Sequence, residues 1–387
     1  MTELIYLDNA ATTFPKPDVV HNFMFDFYKT HGVNPGRSGY DLSIETEEIV
    51  TATRKELTQF FNGTNHNRLV FTYNASDSLN IIINGMVPPG SHVISSNLEH
   101  NSVLRPLHHK QVTENVEVDF IPFDSRGYLN PDDFVAKFKK NTSLVILNHG
   151  SNVIGTLQPI SEIGKLCKER GVPFAIDSSQ TAGVVPVDVR EMNIDVVAFT
   201  GHKSLMGPTG IGGIYVGDGI EISQTRFGGT GIRSDLLSHP EEYPHRLETG
   251  TINIIGVAGL YAGQKWIREK GLANIRAHEN RLWKILRDGL KKIENVILYC
   301  ADSEIRHLPV LAFNIKNCEA NTAGKLLDEE YHIATRTGCH CAPLLHKELG
   351  TEAIKGTVRM SIGAFNTEEH IKKAIDAVTE IAARYQE

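Results

Sequence analysis

A lysine at the end of a predicted strand has the most unusual chemistry in this sequence. The apolar run Val196–Phe199 is typical of a strand, and Thr200, His202, Lys203 and the glycine-rich segment 207–213 follow it. Burial of an ammonium group is costly unless the group is paired or neutralised. Desolvation lowers the pKa of such a lysine, so that its free amine can attack an aldehyde and form an imine. Lys203 is therefore a candidate nucleophile, although a single lysine in this position is more often a solvated loop residue.

Polar groups follow four further predicted strands. They are Asn74 to Ser76 after residues 69–72, Glu99 to Asn101 after 92–95, Asn148, His149 and Asn152 after 144–147, and Asp177 to Gln180 after 173–176. Ligands of parallel sheets bind beyond the carboxyl ends of the strands, so we expect these groups to meet Lys203 at one edge. Together they supply an imidazole, an amide, a carboxylate, an amine, and a helix start with N–H groups and a hydroxyl for phosphate. A pyridoxal phosphate pocket requires this set.

Each side chain has a possible role towards that cofactor. Lys203 would form the imine, and Asp177 would keep the pyridine nitrogen protonated so that the ring can accept electrons. His100 could stack on the ring. Asn152 or Gln180 could hydrogen-bond to the phenolic oxygen of the ring.

The elements that must position these residues alternate along the chain. After a brief strand at residue 5 we predict helices at 18–29, 43–61, 76–86, after 101, at 131–139 and at 160–169, with a glycine-rich turn at 32–39. Strands are predicted at 69–72, 92–95, 116–121, 144–147 and 173–176, ahead of the strand that leads to Lys203. This alternation predicts an α/β fold with a mainly parallel sheet, helices on both faces and right-handed crossovers.

Composition narrows the class of protein. A chain of 387 residues is long enough for a large domain and a smaller one. The net charge is −7 without a basic block, which argues against a nucleic-acid partner, and no apolar run is long enough to span a bilayer. The five cysteines are odd in number, and no secretory leader is evident, so we expect a reducing, cytoplasmic location.

The segments Asp8–Thr13, Glu99–His100, Asp177–Gln180 and Thr200–Lys203 resemble those of class V, fold-type I pyridoxal phosphate enzymes. The segment Arg336–Pro343 narrows the resemblance to the NifS/SufS-like cysteine desulfurases. The resemblance extends over nearly the whole chain. It implies a large cofactor-binding domain at residues 14–256 and a small C-terminal α/β domain at 257–387, joined by the N-terminal arm 1–13. It also implies a homodimer with its cofactor sites at the subunit interface.

The resemblance also assigns roles residue by residue. Towards the cofactor ring it matches Lys203 to the imine-forming lysine, Asp177 to the pyridinium partner and His100 to the stacking histidine. Gln180 and Asn152 match the neighbours of the phenolic oxygen. The phosphate ligands are matched by Ala75, Ser76, Thr200 and His202. It matches Thr251 to a residue that reaches the phosphate of the neighbouring subunit. Arg359, assisted by Asn152, matches the residue that binds the substrate carboxylate, for which a bidentate guanidinium is well suited.

The sulfur chemistry implied by the resemblance depends on Cys341. Its thiolate would attack the sulfur of the substrate, leaving a persulfide on the enzyme and releasing alanine. Gly338 would give flexibility, and Arg336 and His340 are expected to act as cationic neighbours that favour the thiolate. The remaining cysteines of the chain outside this motif, Cys167, Cys300 and Cys318, are expected to be packing residues.

The motif departs from the SUF-type pattern in two ways. Cys339 occupies a position where a histidine is common. Accepting sulfur from Cys341 and protecting it by oxidation are alternative roles, but we expect Cys339 merely to replace that histidine. The loop from Arg336 to Pro343 is short, which leaves little length for Cys341 to reach a distant acceptor. A zinc site formed by Cys339, His340, Cys341 and His346 is not favoured, since ligands this close cannot readily complete a tetrahedron. We therefore predict no metal.

The predicted function is a homodimeric cysteine desulfurase that converts L-cysteine to L-alanine and passes sulfur to an acceptor protein. Selenocysteine lyase, another C–S lyase and a class V aminotransferase remain alternatives on the same pocket. A cofactor-binding but non-catalytic partner in sulfur trafficking is a further alternative. The sequence does not identify the acceptor, which could belong to iron–sulfur assembly, tRNA modification or another cofactor pathway.

Overall fold

The computed structural model describes residues 4–36, 39–300 and 306–385. The predicted turn at 32–39 therefore lies partly outside the described residues, because Arg37 and Ser38 are not among them. The strands are β1 Ile5–Tyr6, β2 Leu69–Thr72, β3 His92–Ser96, β4 Glu117–Ile121, β5 Thr142–Asn148, β6 Phe174–Asp177, β7 Val196–Thr200, β8 Gly212–Val216, β9 Val296–Tyr299, β10 Val310–Ile315, β11 Ile333–Ala334, β12 Arg336–Gly338 and β13 Thr357–Ser361.

The helices of the described residues cover both sheets. They are α1 Asp18–His31, α2 Asp41–Phe60, α3 Ala75–Met86, α4 Asn101–Glu114, α5 Pro131–Val135, α6 Ile160–Arg170, α7 Ile254–Lys270, α8 Leu272–Leu290, α9 Ala320–Tyr331, α10 Pro343–Glu348 and α11 Glu368–Ala383. None of these helices has the length and apolar character needed to cross a membrane.

The main sheet has seven strands in the order β2-β8-β7-β6-β5-β3-β4. Strands β3 to β7 are parallel, whereas β8 runs antiparallel to both of its neighbours. Strands β6 to β8 are buried along their whole length, because apolar residues on both of their faces contact helices. The prediction of a mainly parallel sheet is thereby confirmed.

Two apolar cores cover the two faces of this sheet. One joins strand residues to α2, α6 and α7 and includes Leu57, Leu147, Ile163, Phe199 and Leu260. The other joins the alternate strand residues to α3 and α4 and includes Leu79, Leu107, Ile146 and Ala198. Because successive side chains of a strand point to opposite faces, neighbouring residues such as Ile146 and Leu147 belong to different cores.

A second, antiparallel sheet lies in the C-terminal part of the chain, with the order β12-β13-β10-β9. Its core includes Leu7, Trp283, Phe313, Val358 and Ile371, so the N-terminal arm contributes to it. Strand β1 pairs in parallel with β11, and Asp8 forms an isolated bridge with Ser361. The predicted division at residue 256 stays a prediction. That residue lies inside α7, a helix that packs on the main sheet.

The helix predicted over 131–139 is too long, because α5 ends at Val135. Asn130 caps this helix and Pro131 occupies its first turn, but only Phe134 buries its side chain. The backbone N–H of Lys139 instead donates to the hydroxyl of Thr142 at 2.8 Å, which turns the chain into β5. Other predicted elements agree with the structure to within a few residues at each end.

Candidate active site

A cavity of about 360 Å³ lies beyond the carboxyl ends of the main-sheet strands. Ten residues selected from the sequence line it: Ala75, Ser76, His100, Asn152, Asp177, Gln180, Thr200, His202, Lys203 and Arg359. Ala10, Ala11, Asn74, Ser102, Asn148, Gly150, Ser179 and Arg336 complete the lining. Two selected residues, Cys341 and Thr251, do not line this cavity.

Parallel register brings the acid and the amine to the same edge. Asn148 of β5 pairs with Asp177 of β6, which in turn pairs with Ala198 of β7. Asp177 is buried, and its Oδ1 accepts hydrogen bonds from the backbone N–H of Ser179 at 2.9 Å and from its hydroxyl. The carboxylate is thereby fixed at the strand end with its second oxygen left for a ligand.

Lys203 follows β7 and has the chemistry of a nucleophilic amine. Burial, opposed by Asp177 and assisted by Arg359 and Arg336, lowers the pKa of Lys203 to about 8. Near neutral pH a substantial minority of such a group is uncharged. An uncharged amine is the form that attacks a carbonyl carbon.

The N-terminal arm fixes the peptide that precedes Lys203. The carbonyl of His202 accepts hydrogen bonds from the Thr12 hydroxyl at 3.0 Å and the Thr13 backbone N–H at 3.2 Å. The ammonium of Lys16 donates to the same carbonyl. Sequence reasoning did not select these three donors, although Thr12 and Thr13 lie in the motif that carries the resemblance.

The N-terminus of α3 forms part of a candidate anion-binding site. Asn74 caps this helix by accepting from the backbone N–H of Asp77 at 3.0 Å, and the Ser76 hydroxyl lies 2.6 Å from that of Ser102. Across the cavity, Thr200 Oγ1 and His202 Nδ1 are buried without a hydrogen-bond partner. Buried polar atoms are rarely left unpaired, so these atoms fit the phosphate of a bound cofactor.

His100 caps α4 and is neutral. Its Nδ1 accepts from the backbone N–H of Ser102 at 3.1 Å, which places the proton of the neutral ring on Nε2. Burial lowers the pKa of His100 to about 4, although Asp177 opposes this shift; Lys203 adds to it. The ring is therefore uncharged at neutral pH, which suits stacking on an aromatic cofactor.

Arg359 is fully buried at the inner end of the cavity. Its Nη1 donates to the carbonyl of Asn152 at 2.9 Å, and its Nη2 lies 2.5 Å from Asp8 Oδ1. Arg359 Nε and Asn152 Oδ1 are both buried without a partner. A carboxylate and an amino group of a substrate would satisfy these two atoms. Sequence reasoning did not select Asp8, although it lies in the N-terminal motif.

Cys341 lines a second cavity and contacts Arg336, which lines the first. Its half-buried sulfur accepts from Arg336 Nη2 at 3.3 Å, and its carbonyl accepts from the backbone N–H of Asn101 at 2.7 Å. The second cavity has a volume of about 470 Å³ and shares Ser76, His100 and Ser102 with the first. The thiol is therefore accessible from a side that Lys203 does not line.

The expectation that His340 acts as a cation is wrong. His340 is buried, and burial together with the nearby Arg359 lowers its pKa well below the ordinary value, so the ring is neutral. Its Nε2 hydrogen-bonds to Thr357 of β13, and its carbonyl accepts from Asn152 Nδ2 at 2.7 Å. His340 thus anchors the loop. Arg336 is the cation in contact with the thiol.

The remaining cysteines behave largely as expected. Cys167 is buried in α6, and burial raises the pKa of its thiol to about 12. Cys318 is also buried, whereas Cys300 is only half-buried and Cys339 is exposed. Within the described parts of the chain, no group of three or more His, Cys, Asp or Glu side chains is placed to hold a metal ion.

Thr251 lies away from these groups, in a small depression that it shares with Asp77, Arg226 and Glu248. Asp77 and Arg226 form an ion pair there at 3.0 Å, and Glu248 forms a two-pronged pair with Arg54. The contact of Thr251 with a second subunit stays a prediction.

Comparisons with known proteins agree over the length of the chain. The model of the class-V aminotransferase family matches residues 5–374. A relative from Pyrococcus abyssi, named "Probable cysteine desulfurase", is 33% identical, and the match covers 98% of this chain and 94% of the relative.

Solved structures of cysteine desulfurases also match this chain over nearly its whole length. The apo cysteine desulfurase of Thermococcus onnurineus NA1 superposes with a TM-score of 0.92 at 32% identity, covering 98% of this chain and 95% of that one. The S-sulfonic acid form of the cysteine desulfurase CsdA from Escherichia coli gives 0.87 at 28% identity, with the same coverage of 98% and 95%. The chain therefore belongs to the class-V aminotransferase family and, within it, to the cysteine desulfurase family.

Proposed function

We propose that this protein is a pyridoxal phosphate-dependent cysteine desulfurase that converts L-cysteine to L-alanine and retains the sulfur as a persulfide on Cys341. One observation carries the proposal. Lys203, Asp177 and Arg359 line a single cavity, and Arg336 of the same cavity contacts the sulfur of Cys341 at 3.3 Å. The names of the relatives at about 30% identity support the same activity.

The residues present fit the cofactor. Pyridoxal phosphate, when bound, supplies an aldehyde and an electron-accepting ring. Asp177 would hold the ring nitrogen, and His100 would stack on the ring. The phosphate would be held by the start of α3 with Ala75 and Ser76, and by Thr200 and His202, whose buried polar atoms otherwise have no partner. Gln180 and Asn152 would lie beside the phenolic oxygen.

The substrate is positioned by its carboxylate. Arg359 would bind the carboxylate of cysteine, because a guanidinium binds such a group in two-pronged geometry. Lys203 Nζ would take the proton from the substrate Cα, which its lowered pKa of about 8 allows near neutral pH. His100, with its proton on Nε2, can donate a hydrogen bond from that atom.

Cys341 performs the sulfur transfer. A guanidinium in contact with the sulfur stabilises the thiolate, which attacks the sulfur of the substrate. An S–S bond forms while the Cβ–S bond breaks, and the electron pair of that bond remains on Cβ, which is protonated to give alanine. The transferred sulfur is oxidised to the sulfane level and the carbon is reduced, so the step needs no external redox partner.

The assembly and location that we propose are a homodimer in the cytoplasm. Phe227 and Leu237 are strongly exposed on the segment ahead of Thr251, and exposed apolar side chains of this size commonly mark an interface. All five cysteines are free, which supports a reducing compartment. The persulfide would pass to an acceptor protein, with iron–sulfur assembly as one destination.

The proposal is tested by supplying the purified holoenzyme with cysteine and measuring alanine and sulfide. We expect Cys341→Ser to lose sulfide release and persulfide while Cys339→Ser, the matched exposed thiol, retains both. Alanine formation from cysteine that Cys341→Ser leaves unchanged would contradict the persulfide mechanism. Alanine formed only from selenocysteine would indicate the lyase instead.

A further inference from the structure

The second cavity contains the feature from which this inference starts. It has a volume of about 470 Å³, lies between α3 and α4, and contains Cys341 in its wall. Neither Lys203 nor Arg359 lines it, although it shares Ser76, His100 and Ser102 with the first cavity. A volume of this size is in the range of small-molecule sites. The thiol is thus open to a groove that adjoins the first cavity through these shared residues.

The charge of the groove is one-sided. Within the described residues, its wall contains Arg105, the ionisable His109 and the amides of Asn80, Asn84 and Asn101, and it contains no carboxylate. Arg105 is exposed, and its guanidinium makes no hydrogen bond or ion pair with another described residue. A cation without a protein partner, in the same groove as a nucleophilic sulfur, favours an anionic ligand.

We propose that this groove is a binding site for an acceptor, a small thiol that carries carboxylates, and that Arg105 selects this thiol by pairing with its carboxylate. The inference rests on the proposed function, because it needs a persulfide on Cys341. The thiolate of the acceptor attacks the outer sulfur of the persulfide. The bond between the two sulfurs of the enzyme persulfide breaks, a persulfide of the acceptor forms, and the electron pair returns to Cys341 as thiolate.

The test compares three acceptor thiols of different charge. Turnover is measured as the alanine formed at saturating cysteine and limiting thiol, minus the alanine formed with cysteine alone. Mercaptosuccinate is the anionic thiol, 2-mercaptoethanol the neutral thiol and cysteamine the cationic thiol. Each rate is compared between protein variants for the same thiol, so that differences in thiol acidity cancel. Arg105→Gln, Arg105→Glu and Arg105→Lys are compared with Lys292→Gln, which removes an exposed cation outside the groove.

We expect Arg105→Gln to lower the mercaptosuccinate rate about two- to fivefold relative to 2-mercaptoethanol, the size of effect given by one exposed ion pair. Arg105→Glu should lower it further and raise the cysteamine rate, and Arg105→Lys should keep most of the preference. Added salt should weaken the preference of the wild type. Lys292→Gln should behave as the wild type does.

The first turnover separates this inference from the proposed function. With cysteine at one equivalent per subunit and no added thiol, the wild type and every variant should form alanine in a single turnover, which also shows that the variants are folded and loaded. A wild type that forms no alanine overturns the proposed function and this inference with it. A full first turnover followed by a thiol preference that no Arg105 variant changes overturns this inference alone.

Discussion

The edge of the main sheet and the loop that contains Cys341 hold reactive groups in contrasting ways. At the sheet edge, Asp177 is the last residue of a strand paired on both sides, is buried, and has one oxygen satisfied by Ser179. The loop at 338–342 joins an edge strand to α10, and both His340 and Cys341 have positive φ, at 47° and 61°. The loop is held at separate points by Asn101 and Asn152.

This difference matches the chemistry that each region must perform. Proton transfer and carboxylate binding need fixed distances, which a buried, fully paired sheet supplies. A sulfur that must first meet a substrate and then an acceptor needs an accessible position, which the loop gives to the half-buried Cys341. The following predictions test this division.

The largest effect is expected from Lys203→Ala at the sheet edge. Alanine formation from cysteine should fall by about 10³-fold or more, since the variant loses the amine that moves the α-proton. The visible absorption band of the cofactor should no longer be that of a lysine-linked form. Lys165→Ala, which changes a strongly exposed lysine on α6, is the matched control. Full turnover by the Lys203 variant would show that the amine at the sheet edge is not required for the reaction.

The two regions should differ next in thiol reactivity. In the folded protein at pH 8, iodoacetamide should alkylate Cys341 at least about 100-fold faster than Cys167, as measured by mass spectrometry of digested samples. Burial raises the pKa of the Cys167 thiol to about 12, whereas Cys341 is half-buried beside Arg336. Equal rates would mean that the loop protects its thiol as strongly as a helix core does.

Arg359→Lys should weaken substrate binding rather than the chemical step. An ammonium cannot reproduce the two-pronged contact of a guanidinium, so we expect KM for cysteine to rise roughly 10- to 100-fold, with kcat less affected. Asp8→Asn keeps the guanidinium and weakens one of its contacts, so its effect on KM should be smaller. A larger effect of Asp8→Asn would show that orientation, not charge, dominates at this position.

The smallest effect is a dependence of stability on pH at the sheet edge. Glu99 is fully buried, with Oε1 bonded to Ser96 and Asn148 and Oε2 unpaired, and burial raises its pKa to about 8. The folded state therefore binds more protons than the unfolded state between about pH 4.5 and pH 8. This contribution to stability is present at low pH and is lost as the pH rises through that window.

Glu99→Gln should remove this loss. Relative to the wild type, the variant should gain about 2 kcal/mol of unfolding free energy between pH 5 and pH 7, seen as a growing difference in Tm. Glu352→Gln, at an exposed position after α10, should show no such trend. A difference that stays constant with pH would contradict ionisation of Glu99 as the cause.

The sheet and most of the cavity could be predicted from the sequence because their signals are local. Apolar runs such as 173–176 and 196–199 define buried strands, and parallel strands place whatever follows them at one edge. The contact of Asp8 with Arg359 could not be predicted in this way, because 351 residues separate them. The burial of His340 was missed because its partner Thr357 lies on β13, 17 residues further along the chain.

The N-terminal arm connects the two ends of the site. It supplies Asp8 to Arg359, and Thr12 and Thr13 to the carbonyl that precedes Lys203. A single proteolytic cleavage of the arm between Asp8 and Thr12 would therefore impair both substrate binding by Arg359 and the placement of Lys203, although Arg359 and Lys203 lie elsewhere in the chain. Fusion tags and truncations upstream of β1 accordingly carry a risk for activity assays that changes in an exposed surface helix do not.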